Sequence, residues 1–166
     1  MLSKTIEQRL NDQINLEAYS CNLYLAMSAW CFHKGYEGSA AFLKQHAMEE
    51  QHHMLKLFDY VNEVGSLAEI RGVEAPAFSP EGIDRLFGKI YEHEKFITQS
   101  INALVDQCLK EKDYSTFNFL QWYVSEQHEE ERLFLSILDK IEIIGLDGRG
   151  LFMLDQEVGR LTAQRG

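Results

Sequence analysis

Residues 65–82 read GSLAEIRGVEAPAFSPEG and hold both prolines of the chain, Pro76 and Pro80, with three of its 11 glycines. Proline and glycine are the strongest local breakers of regular structure, so this stretch is a connection. Its 18 residues make it long for a loop in a compact domain. Extended, it reaches along most of a long helix. Two halves joined in this way need not follow each other through a tight turn. The stretch therefore separates a simple up-and-down bundle from one whose halves are linked by a crossover.

On either side of it the apolar residues recur at helical spacing. A first helix is expected from Ser3 or Thr5 to His33, ended by Gly35, and a second from Gly38 or Ser39 to just before Gly65. Ser79 as N-cap, Pro80 as first helical residue and Glu81 in the first turn start a third, which runs to about Lys112. Asp113 or Ser115 caps a fourth that continues to Ile144 and stops at Gly145. A short fifth carries Leu151, Leu154, Val158 and Leu161 on one face. At 1.5 Å per residue the four long helices measure about 40 Å each. Helices of that length with one apolar face pack most simply as a four-helix bundle. Short turns at Gly35 and Asp113 make two antiparallel hairpins. The expected fold is all-α, a four-helix bundle with a long crossover connection and a short fifth C-terminal helix, with residues 1–166 as one domain.

Composition narrows the partners. Sixteen Lys and Arg stand against 26 Asp and Glu, a net charge of −10, which argues against nucleic acid or an anionic membrane. It suits a cationic partner. No apolar run approaches the roughly 20 residues that span a bilayer, and the amphipathic start MLSKTIEQRLNDQINLEAYS lacks the apolar core of a signal peptide. A cytoplasmic location is expected. Cys21, Cys31 and Cys108 form no C-x-x-C pair and read as small buried hydrophobes.

Each long helix breaks its apolar seam near the middle with a polar side chain. The seams run Leu10, Ile14, Glu17, Cys21, Tyr24; then Leu43, His46, Glu50, His53, Leu57; then Ile90, Glu94, Ile97, Ile101; then Leu120, Tyr123, Gln127, Glu130, Phe134. Glu17 lies 33 and 36 residues before Glu50 and His53, and Glu94 lies 33 and 36 before Gln127 and Glu130. Residues at i and i+3 share a helical face, so each hairpin aims one residue from its first helix and a pair from its second at one spot. Buried carboxylates cost several kcal/mol each, of the order of 5, and clustered ones repel. No Lys or Arg occupies these positions, so a bound cation is the expected counter-charge. Four carboxylates with one imidazole and no thiolate suit iron or manganese better than zinc, and suffice for two ions bridged by a shared Glu50. Tyr24 either packs or serves a ligand by hydrogen bonding or electron transfer. His46 reads first as a hydrogen-bonded core histidine, with a role beside Glu50 as the alternative. His33, His52, His93 and His128 fall off the seams and are expected to face solvent.

Three segments, NLEAYSCNLYLAMSAWC (15–31), FLKQHAMEEQHHM (42–54) and DYSTFNFLQWYVSEQHEEERLF (113–134), resemble the non-haem ferritins of bacteria, and the resemblance extends over nearly the whole chain. It implies the ferritin-like form of the bundle and a ferroxidase: two Fe(II) ions bind inside it, dioxygen or hydrogen peroxide oxidises them, and Fe(III) is stored as hydrated ferric oxide inside a 24-subunit homo-oligomeric shell. By the same resemblance Glu17, Glu50 and His53 hold the first iron, and Glu50, Glu94 and Glu130 the second, with Gln127 beside it. Glu49, Glu126 and Glu129, sharing Glu130, match a third iron site toward the inner surface. Tyr24 and Trp122 match aromatic residues next to the iron pair.

Departures from neighbouring families narrow this further. Bacterioferritins place a haem-ligating Met where this chain has Gln51, and an E-x-x-H pair where it has Gln127 and Glu130, so no haem is expected. Rubrerythrins carry C-x-x-C pairs, absent here. The alternative activity is a di-iron or di-manganese oxidase or peroxidase without mineral storage, which would need a substrate cavity at the metals.

Overall fold

The structure is a computed structural model and describes residues 2–79 and 81–165. Five helices follow one another: α1 (Lys4–His33), α2 (Glu37–Glu63), α3 (Ile83–Glu111), α4 (Tyr114–Ile144) and α5 (Gly148–Arg165). The four long ones have 30, 27, 29 and 31 residues, as a bundle of this height requires.

Local chemistry sets most boundaries where the sequence places them. Ser3 accepts a hydrogen bond from the Ile6 amide and opens α1. Asp113 opens α4, accepting from the amide and hydroxyl of Thr116. Gly35, Gly65 and Gly145 all take positive φ just beyond helix ends, where a side chain would be strained. The start of α3 differs from expectation. It begins at Ile83 behind an extended Gly82, without a side-chain cap. Pro80 lies outside the described residues. The helix starts where burial starts: Ile83, Leu86, Phe87 and Ile90 enter the core, whereas Ser79 and Glu81 are exposed. The start of α2 is capped from far away, by Asp155 on α5, whose two oxygens accept from the Gly38 and Ser39 amides at 2.9 and 2.8 Å. That close approach needs Gly38, since a Cβ there would fall 2.1 Å from the Asp155 carbonyl oxygen.

The connection from α2 to α3 carries no regular structure from residue 66 to 79 and lies along the bundle. Its near end is tied to buried Asn11, which donates to Leu67 O and accepts from the Glu69 amide. Its far end reaches the opposite half of the core, where Phe78 packs. The crossover is thus an ordered strap.

The apolar core falls into two clusters. One, near the α1 N-terminus, gathers Ile6, Leu10, Ile14, Leu57, Ile97, Ile101, Leu104 and Leu120. The other gathers Met27, Leu43, Phe87, Ile90, Phe134 and Ile137 and takes in Leu154 and Val158 of α5. Between them lies a polar layer, and it holds the centre.

Candidate metal centre

Glu17, Glu50, His53, Glu94, Gln127 and Glu130 are all at most 3% exposed, at the middle of α1 to α4. Each reaches the interior because its neighbours one turn away on the same face are core residues, so the amphipathic pattern that buries the helix buries the charge with it.

Two groups of ligand atoms form. In the first, atoms of Glu17, Glu50 and His53 lie within 4.8 Å of one another; in the second, atoms of His46, Glu94 and Glu130 do so. His53 Nδ1 is 3.3 Å from Glu50 Oε2. Gln13 donates to Glu17 Oε1 at 2.7 Å, while Glu17 Oε2 and Glu50 Oε1 are buried with no partner beyond the hydrogen bond the two carboxyls share when one is protonated. On the other side Tyr24 donates its hydroxyl to Glu94 Oε1, and Gln127 donates to Glu94 Oε2 at 3.0 Å. Buried acceptor oxygens without donors are costly unless something positive meets them. This donor set, anionic oxygen with imidazole, fits a divalent first-row cation.

The electrostatics say the same. Burial, then the charge of Glu50, pushes the Glu17 carboxyl well above its usual range. Burial, then Glu94, does so for Glu50, and burial, then Glu130, lifts Glu94 to about 7. Tyr24 is raised well above 10 by burial and by Glu94, which keeps its phenol a proton donor. Without a metal the layer therefore holds protons where a cation would bind, and a cation entering it displaces them.

His46 corrects the reading of it as an ordinary core histidine. Its Nε2 stands 2.9 Å from Glu130 Oε2, out of line for a regular hydrogen bond, and 3.7 Å from Glu50 Oε1, while Nδ1 is 3.5 Å from Glu49 Oε2. Burial lowers its pKa, but the charge of Glu130 and contact with it, helped by Glu50 and Glu94, outweigh burial and raise it to about 9. His46 is thus an internal cation among the carboxylates. Its signal was in the sequence: it sits on the same stripe as Glu50 and His53, one turn earlier.

The remaining expected residues lie nearer the surface. Glu49 and Glu126 are partly exposed, and His53 Nε2 is 3.8 Å from Glu126 Oε1. Both line a cleft of about 480 Å³ with His52, His53 and Trp122. Glu129 is exposed and belongs to neither buried group. Trp122 meets the His53 ring edge-on at 5.2 Å, with Lys56 over its face. His33, His52 and His128 are exposed, as expected, but His93 is only partly exposed. It shares a hydrogen bond with Ser20 at 2.8 Å and packs on Tyr19 and Tyr24, and burial, with the charge of Lys89, pulls it down to about 4. Its place between α1 and α3, one residue before Glu94, makes it a wall of the centre.

Comparison with known proteins agrees with this geometry. A family model described as a ferritin-like domain matches residues 7–144. The chain is 57% identical over 164 residues to a Haemophilus influenzae protein named "Probable bacterial non-heme ferritin-like protein", with 99% of each chain covered. It is 51% identical to the bacterial non-haem ferritin of Escherichia coli O6:H1, again with 99% of each covered. Among solved structures, the Chlorobium tepidum ferritin superposes with a TM-score of 0.86 at 58% identity, covering 95% of this chain and 97% of that one.

Proposed function

This chain belongs to the ferritin family, on its bacterial non-haem branch, and we propose from that premise that it takes up Fe(II), oxidises it inside the bundle and stores the Fe(III). The observation that carries the proposal is the buried layer of four glutamates and two histidines between two apolar clusters, with ligand atoms gathered into two groups.

Iron is the substrate. Glu17, Glu50 and His53 hold one Fe(II), and Glu50, Glu94 and Glu130 hold the second, with Glu50 shared. Each ion gives up one electron; dioxygen accepts two electrons and two protons to give hydrogen peroxide. Metal binding displaces protons from the raised carboxyls of the layer into the site where reduction of dioxygen consumes them. Tyr24 and Gln127 orient Glu94, and Gln13 orients Glu17, so the ligands are held ready before the ions arrive. Tyr24, Tyr123 and Phe134 are fully buried and fill space around the layer with large side chains, which favours storage over the oxidase alternative.

Glu49, Glu126 and Glu129, with Glu130, form a third position through which oxidised iron leaves toward the cleft. The product collects in the cavity of a homo-oligomeric shell of 24 subunits in the cytoplasm. No described helix is long and apolar enough to cross a membrane. Aerobic Fe(II) addition followed by size separation tests this. Iron eluting with a shell-sized particle supports storage; fast oxidation by a small oligomer that sheds its iron overturns it in favour of the oxidase.

A further inference from the structure

Two surface clefts end on residues of the buried centre, on different faces of the bundle. The α2–α4 cleft has His53 as its floor and carries Glu49 and Glu126 of the third position. The other, of about 220 Å³, opens between α3 and α4, with Gln127 as its floor and Thr98, Asn102, His128 and Glu131 around it. Gln127 is 3% exposed, and its Nε2 lies 3.0 Å from Glu94 Oε2, 3.3 Å from Glu94 O and 3.4 Å from Thr98 Oγ1. One side-chain amide therefore stands between an open cleft and a metal-binding carboxylate.

We infer that the α3–α4 cleft is a loading route for divalent cations to the second metal position, and that Gln127 is its gate. The inference rests on Glu94 being a ligand there. Three features make the amide a movable wall. Side-chain rotation opens it without any change in the helix backbone. Two of its three contacts are at the long edge of hydrogen bonding. Thr98 Oγ1 offers the released amide a second partner, so the open state leaves no buried donor stranded. When the amide turns, Glu94 Oε2 faces the cleft, and the amide oxygen becomes an acceptor for an incoming hydrated cation. Glu131 places a negative charge at the rim.

Anaerobic rapid mixing of the assembled protein with Co(II), which dioxygen chemistry does not complicate, separates the steps. Trp122 fluorescence reports the first position through His53, and Co(II) visible absorption reports both. Asn102→Phe, which fills the cleft from its exposed rim, is expected to slow filling of the second position about tenfold, with two ions per chain still bound at equilibrium. Gln127→Ala is expected to speed it about threefold or more. Gln45→Phe, in the α2–α4 cleft, is expected to leave that rate unchanged. Wild-type rates in both Asn102→Phe and Gln127→Ala, or slowing by Gln45→Phe alone, would overturn the route. Fewer than two Co(II) per wild-type chain at equilibrium would instead overturn the dinuclear reading on which it rests.

Discussion

The α1–α2 hairpin and the α3–α4 hairpin carry the same ligand spacing and close it with different chemistry. The offset that maps Glu17 onto Glu94, Glu50 onto Gln127 and His53 onto Glu130 also maps His46 onto Tyr123 and Tyr24 onto Ile101. Both Tyr24 and His46 come from the first hairpin, and both lean on carboxylates of the second. Glu94 thus has a donor on each oxygen, and Glu130 has an internal cation, whereas Glu17 Oε2 and Glu50 Oε1 find no donor beyond the paired carboxyl. On the proposed reading, a metal entering the first position would displace protons from Glu17 and Glu50; one entering the second would meet an imidazolium and reorganise the hydrogen bonds on Glu94. A near-symmetric fold therefore surrounds its two groups of ligand atoms with unequal partners, and the proposed function predicts that the two positions bind unequally.

The largest effect should come from removing a ligand from either half. Glu17→Ala or Glu94→Gln is expected to slow oxidation more than about 100-fold in stopped-flow assays, while metal-free Glu94→Gln melts at or above wild type because a group that is costly to ionise there becomes permanently neutral. Wild-type oxidation by either would break the assignment. Next, His46→Leu should destabilise the metal-free protein by about 3 kcal/mol, because Glu130 and Glu50 lose their internal counter-charge. Adding Glu130→Gln should recover much of that loss in denaturant titrations; additive effects would show that His46 and Glu130 are not coupled.

The pH dependence has a definite sign. Between the ordinary 4.5 and about 7, the folded metal-free chain keeps a proton on Glu94 that the unfolded chain has lost, so stability falls as pH rises. Between 6.5 and about 9, the folded chain keeps a proton on His46 that the unfolded chain has lost, and stability falls again as pH rises. Both slopes run the same way, and melts of metal-free protein should show them. Glu94→Gln should make the acidic part of the curve shallower, with Glu17 and Glu50 still contributing, and should shorten the alkaline part, because Glu94 helps raise His46. The smallest effect belongs to Gln13→Leu, which removes one donor from Glu17 and should weaken the first ion about five- to tenfold by titration, leaving the second unchanged.

Much of the centre was legible in sequence because a charge in an apolar seam contradicts the pattern around it, and four such contradictions share one spacing. Glu94 among isoleucines is the plainest. Helix ends set by local chemistry, at Ser3, Gly35, Asp113 and Gly145, were legible for the same reason: the cause lies within a few residues. What was missed depends on distance in the chain. Asp155 caps a helix more than a hundred residues earlier, Asn11 ties down the crossover, and His93 is covered by Tyr19 and Tyr24 of another helix. Ser79 and Glu81 form a good local start signal, yet burial begins at Ile83, and the helix follows burial. His46 was legible and underweighted, because an imidazole in a core has an ordinary explanation until its carboxylate partners are placed around it.

Anaerobic Fe(II) titration by calorimetry tests the central claim most directly. Two unequal binding events per chain are expected, both releasing protons. Glu17→Ala should remove the tighter event and Glu94→Gln the weaker. A single event, two equal ones, or an identical pair of events in both variants would contradict the account.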